Sequence, residues 1–340
     1  MAMKIILWFM TLLPLFCFLI WILVTEKQNP EYLVRIRQSL YTDMTEQISQ
    51  FSKPPDQWQE SVFPHDSPEL IAKYKELTIG VVPEILNSEV LAQISTLESK
   101  MEQAKALILL FSYDSGKDCG AALNLIHNIK RLSTPGTGSG CCSDHSEVFL
   151  ALASFAGLNA REVHSTAHTT VEVFEPATSR WVWLDPQFAI FALDEKSKQP
   201  LSGLEIRNAI LAKQKPEFHC FGTSNLECAK TEITSLEPYK TEDYLVDFGI
   251  TLGSNVFEQD SFNQTMSFIP SKSIRQITGL FTGTMPTYLF ASDRDSRYIS
   301  NLKNIRKGFI TWVECGFVWS LLSFSTLMFL TRRSLKNQGV

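Results

Sequence analysis

The sequence predicts an α+β fold: a central helix carrying a cysteine, packed on an antiparallel sheet carrying a histidine and an aspartate, flanked by two transmembrane helices. Three observations predict it. A glycine run, Gly138-Ser139-Gly140, leads through Cys141-Cys142 into an apolar helical pattern over 143–157. Two β-branched and aromatic segments, 168–174 and 180–185, alternate with the period of a strand. Apolar runs stand near both ends of the 340-residue chain.

The end runs frame the organisation. Residues 5–24 contain no charge and are long enough to cross a bilayer core of ~30 Å. Residues 309–330 are interrupted only by Glu314 and flanked by Lys303, Arg306, Lys307, Arg332 and Arg333. Two spans place both termini on one side of a membrane and the middle of the chain on the other. Basic residues are at least as frequent on the loop sides of the spans as at the termini, which taken alone would hold the loop in the cytoplasm, but long loops translocate largely regardless of charge. The expectation is an integral membrane protein with an extracytoplasmic domain. Net charge of −5 gives no reason to propose a nucleic-acid partner.

Between the spans, 28–97 reads as a helical stalk and linker, with helices over 67–77 and 88–111. A core is expected over 98–195. Residues 196–302 read as an extension packed on it, with a helix over 203–213 and then strand-like and turn-rich segments. Cys220 and Cys228 suit a small disulfide loop if the domain is exported, and Cys119 and Cys141 are a second candidate pair. No spacing suggests a metal site, and no cofactor is expected.

The core carries the chemistry. If 175–178 form the turn between the two strands, Phe174 faces Ser179 and His168 faces Asp185 on one face of the sheet. Val171, Val173, Val182 and Leu184 then form the core face. A carboxylate beside an imidazole fixes its tautomer and stabilises its charged form. Over 143–157, Val148, Leu152 and Phe155 share a face, and Gly157 supplies a stop. A thiol at the first turn of such a helix sits where the dipole lowers its pKa and backbone N–H groups are at hand. Cys142 and Cys141 compete for that place, and His164 is the rival of His168. His145 is expected to line the site or face solvent.

The window resembles the transglutaminase-like core of the papain-type cysteine enzymes. Gly140-Cys141-Cys142 followed by Gly157-Leu158-Asn159-Ala160-Arg161 matches its cysteine helix, and the spacing back from Gly157 selects Cys142. His168-Thr169-Thr170-Val171-Glu172-Val173 matches its histidine strand, and Trp181-Val182-Trp183-Leu184-Asp185-Pro186 its aspartate segment. Helices over 102–114 and 121–132 complete the likeness, which covers roughly a quarter of the chain, about 98 to 190. The chain departs from the family where His145 and Thr170 replace aromatic residues. The resemblance implies a thiol hydrolase or acyltransferase with Cys142, His168 and Asp185 as its catalytic triad, acting on an amide or ester of a protein or peptide. Arg161 reads as structural. The alternative is a catalytically inactive scaffold or binding module in a membrane complex for envelope or polysaccharide assembly.

Overall fold

The computed structural model describes residues 10–14, 48–57, 64–82, 88–111, 124–134, 140–165, 168–221, 248–269, 287–291 and 296–336, with scattered positions between 16–43 and 274–285. It divides into two compact units: 41–270 with 278–296, and 1–40 with 271–277 and 297–340.

The larger unit is α+β. Its sheet runs in the order β1-β8-β7-β2-β3-β4-β5-β6. The strands are β1 (Thr42–Asp43), β2 (Ala160–His164), β3 (Thr169–Glu175), β4 (Arg180–Asp185), β5 (Ile190–Leu193), β6 (Glu217–Cys220), β7 (Gly249–Leu252) and β8 (Thr287–Phe290). Seven strands are antiparallel neighbours, and only the short β1 lies parallel, against β8. Strands β6, β7 and β8, from the part of the chain read as an extension, are members of this sheet. β7 lies beside β2, in the middle of the strand order.

One face of the sheet is covered by α1 (Pro68–Val81), α2 (Ser88–Ser95), α3 (Lys100–Leu109), α4 (Leu125–Ser133), α5 (Cys142–Phe155) and α7 (Val256–Thr265). These helices bury Tyr74, Leu91, Ile108, Ile129, Phe149 and Phe257 against Val171, Val173 and Leu184. So α1 and α2, read as stalk, contribute to the core. The stretch read as one helix over 88–111 is two, because Ser99 caps a new start: its hydroxyl accepts the Glu102 N–H at 3.1 Å.

The opposite face, expected to lie outside the core, is also covered. Phe51, Trp183, Ile190, Phe248 and Ile250 form a second cluster with α6 (Gly203–Leu211). Within this face the Arg161 guanidinium donates to Glu172 Oε2 at 2.7 Å and to the Phe51 carbonyl at 2.7 Å, and it stacks on Trp181 at 3.8 Å. Glu172 Oε1 accepts the Gly203 N–H at 2.6 Å, at the start of α6. Arg161 therefore binds a carboxylate and a carbonyl, the structural role expected of it.

The β3–β4 hairpin differs from its expected register by two residues. Phe174 faces Trp181 and Val171 faces Leu184, so the turn is 176–179. Two local causes are visible. Ser179 adopts a left-handed φ of 50°, which completes the turn one residue later. Glu175 stays in the strand opposite Arg180, its carboxylate accepting the Lys100 N–H at 2.8 Å at the start of α3. A shift of two preserves the face, so His168 and Asp185 remain on one side as diagonal neighbours.

Asp66 ties α7 in place through the N–H groups of Phe257 (3.0 Å) and Glu258 (2.7 Å). Burial pushes its carboxyl up to about 6, more than those two bonds lower it. Between pH 3.8 and about 6 the folded chain keeps a proton that the unfolded chain has lost, so this group makes stability fall as pH rises through that window. Asp66→Asn is expected to flatten that decline, on the order of 2–3 kcal/mol, in urea titrations across the window.

The smaller unit contains α8 (Ser296–Lys336). Its segment Ser300–Leu330 is long and apolar enough to cross a membrane, and only 6% of its most apolar stretch is buried, unlike a core helix. Among the described residues it is the one such helix. Half of the other expected span, 5–24, lies outside the described residues. Within this unit Trp319 Nε1 donates to the Met10 carbonyl at 3.1 Å, and the Trp21 and Trp312 rings lie 5.6 Å apart.

Candidate active site

The candidate site forms where the N-terminus of α5 meets the start of β3 and the end of β4. Gly140 permits the approach of the chain: a Cβ there would lie 2.8 Å from Leu132 Cδ2 and 3.1 Å from Asp144 Cβ. Cys141 is the N-cap, its N–H bonded to Asp144 Oδ2 at 3.1 Å, while Asp144 is held by Arg131 at 3.1 Å. Cys142 is the first residue of the helix proper. At the other end Gly157 takes a left-handed φ of 67°, and the Leu158 N–H reaches back to the Ala153 carbonyl at 2.8 Å, closing the helix as expected of glycine there. Ser146 Oγ donates to the Thr169 carbonyl at 3.2 Å, fastening the first turns of α5 to β3.

His168 and Asp185 come together as the sequence predicts. His168 Nε2 lies 2.7 Å from Asp185 Oδ2, and Asp185 is fully buried. Its other oxygen accepts the N–H groups of Gln187 (2.8 Å) and Phe188 (3.3 Å), so the carboxylate cannot swing away from the ring. Phe188 stacks on the His168 imidazole at 5.8 Å. Cys142 joins the pair: the His168 ring and the Thr169 N–H both act on its sulfur in favour of the thiolate. With Nε2 engaged by Asp185, Nδ1 is the nitrogen left for the thiol.

The electrostatics follow from this geometry. Burial pushes the Cys142 thiol up, but the hydrogen bond and charge of His168, with the Thr169 N–H, bring it below its ordinary value. Burial pushes His168 down, and the charge and hydrogen bond of Asp185 more than reverse this, lifting it to about 10. The arrangement favours a thiolate–imidazolium pair.

The rivals sort differently. Cys141 is a free thiol beside Ser143 Oγ at 3.2 Å, so it is not paired with Cys119. His164 lies among Glu162 (3.4 Å), Thr251 (3.3 Å) and the Tyr288 ring (5.0 Å). His145 neither faces solvent nor reaches the thiol. It is fully buried, with Nδ1 3.0 Å from the Cys141 carbonyl oxygen, and burial holds its pKa below the ordinary value. Trp183 Nε1 donates to Thr170 Oγ1 at 2.8 Å and Trp181 Nε1 to the Lys53 carbonyl at 2.8 Å, so both indoles are packing groups. Sequence reasoning missed Phe188; its place just after Asp185-Pro186 was the available signal. Cys220 is disulfide-bonded to a cysteine outside the described residues, where the expected partner Cys228 also lies.

Comparison with known proteins adds no relative: no family model, no curated protein and no solved structure matches this chain.

Proposed function

We propose that this chain is a membrane-anchored, transglutaminase-like cysteine hydrolase or acyltransferase acting on an amide or ester, with a protein or peptide as substrate. One observation carries the reading: a thiol at a helix N-terminus shares a histidine with a buried carboxylate that is held from both oxygens. Cys142 is the nucleophile, His168 the base and Asp185 the group that orients and charges it.

His168 takes the thiol proton, and the sulfur attacks the substrate carbonyl carbon. The carbonyl π electrons move to oxygen, where backbone N–H groups of the α5 N-terminus stabilise the charge. Collapse of the tetrahedral species breaks the bond to the amine or alcohol, which leaves with the proton from His168, and a thioester remains. Water then yields hydrolysis; an amine yields transamidation.

Residues 5–24 and α8 are read as two spans with both termini on one side. The disulfide at Cys220 supports an extracytoplasmic domain, because such bonds persist in oxidising compartments.

Labelling with iodoacetamide tests the site. At pH 7 Cys142 is expected to react at least about tenfold faster than Cys141, with its half-maximal rate below the ordinary thiol pKa of 9.0. In His168→Ala the imidazolium is gone while burial still disfavours the thiolate, so the profile moves to higher pH and the neutral rate falls. Equal, His168-independent labelling of the two cysteines would sink the enzyme reading and leave an inactive module.

A further inference from the structure

The Cys141 carbonyl oxygen accepts two hydrogen bonds from one residue. The His145 backbone N–H reaches it at 3.1 Å, the ordinary first bond of α5, and His145 Nδ1 reaches it at 3.0 Å. The helix needs only the first. A carbonyl can only accept, so Nδ1 carries the proton and Nε2 the lone pair. His145 is fully buried and Nε2 has no hydrogen-bond partner. The ring's one hydrogen bond is thus spent on that oxygen; Asp185, Asp144 and Arg131 act on it by charge alone, and its neighbours include the Phe111 ring at 6.1 Å.

The oxygen belongs to the peptide joining Cys141 to Cys142. Peptide units are planar, so holding the oxygen from two directions fixes the orientation of the Cys142 N–H on the opposite side. As the first amide of the helix, that N–H has no intrahelical acceptor and points out of the N-terminus. It lies on the residue whose sulfur attacks, where the oxygen of the substrate carbonyl gathers charge. An amide that accepts more strongly at oxygen also donates more strongly at nitrogen.

We infer that His145 is a positioning residue for acyl transfer, clamping the Cys141–Cys142 peptide so that the Cys142 N–H is aimed and polarised as an oxyanion donor. The inference rests on the reading of Cys142 as the nucleophile. It separates two reactions of the same sulfur. Alkylation by iodoacetamide displaces iodide from an sp³ carbon and develops no oxyanion. Acylation by 4-nitrophenyl acetate does: the S–C bond forms, charge collects on the carbonyl oxygen, and the C–O bond breaks to release 4-nitrophenolate.

The test measures both rates on the full chain in detergent for wild type, His145→Ala and His145→Ser. Alanine and serine leave nearly the same cavity, but a serine hydroxyl in a helix can donate to the carbonyl four residues back. Alkylation and its pH profile are expected to stay within about threefold of wild type in both. Acylation is expected to fall about tenfold or more in His145→Ala, with most of the loss recovered in His145→Ser. Parallel loss of both reactions in both variants, or acylation indifferent to either substitution, would overturn the inference. His145→Phe keeps the ring volume beside Phe111; if the small variants do not fold, it must reproduce the selective loss of acylation or the inference fails. If wild-type alkylation is itself independent of His168, the nucleophile reading falls and this inference with it; if alkylation depends on His168 but acylation ignores His145, only this inference falls.

Discussion

Arg161→Ala is expected to lower stability by about 3–5 kcal/mol, a large share of what a domain has to lose. The guanidinium and Glu172 are each 1% exposed, so its removal strands a buried carboxylate that keeps the Gly203 N–H but has lost its counter-ion. The Phe51 carbonyl loses its donor and Trp181 the cation on its face. Burial pulls the Arg161 pKa down and the Glu172 charge opposes this, the expected state of a charge that persists because its partner does. Urea unfolding in detergent measures the loss. Arg161→Met with Glu172→Gln removes both charges together and is expected to recover a substantial part, because neutral packing replaces the unpaired ion. A double variant as unstable as Arg161→Ala would show that the ion pair is not the cause.

Asp185→Asn is expected to leave the fold intact and to reduce acylation of Cys142 by about 10²–10⁴-fold at pH 7. Asparagine keeps an oxygen for the Gln187 and Phe188 N–H groups. Towards His168 it presents an N–H₂ donor instead, which selects the tautomer with its proton on Nδ1. That nitrogen is the one needed to take the thiol proton. The charge that lifts His168 to about 10 is lost as well, so the thiolate loses its counter-ion and the alkylation profile moves to higher pH. Steady thermal unfolding with a shifted profile would support the assignment; an unshifted profile would remove Asp185 from the mechanism.

The grouping of Cys142, His168 and Asp185 was legible because the placement of each follows local rules. Gly140, the apolar pattern after Cys142 and the stop at Gly157 define one helix, and alternation in two adjacent strands keeps His168 and Asp185 on one face. The register was less legible. It was set by Ser179 entering a left-handed conformation and by Glu175 capping α3, a contact with a helix some seventy residues earlier. The break between α2 and α3 was written in Ser99, but the continuing apolar spacing around it masked the signal. His145 does not face solvent: its position one turn past a site cysteine suggests access, but the walls that bury it come from other elements, Phe111 among them. The second apolar cluster was hidden for the same kind of reason. Glu172 and Thr170 look like outward-facing strand residues until Arg161, Phe51 and Trp183 are placed beside them.

The position of β7 bears on how the chain is made. β2 is complete by His164, yet its neighbour begins at Gly249, so one edge of β2 waits without that partner while the chain between them is synthesised. An unpaired strand edge is a template for unwanted pairing, and pairings between distant segments form slowly. The half-sheet β2–β5 with α5 already contains Cys142, His168 and Asp185. In chain order, the segments that bring Cys142, His168 and Asp185 together thus all precede the strand that covers this edge of β2, and until β7 is made that edge is open to unwanted pairing.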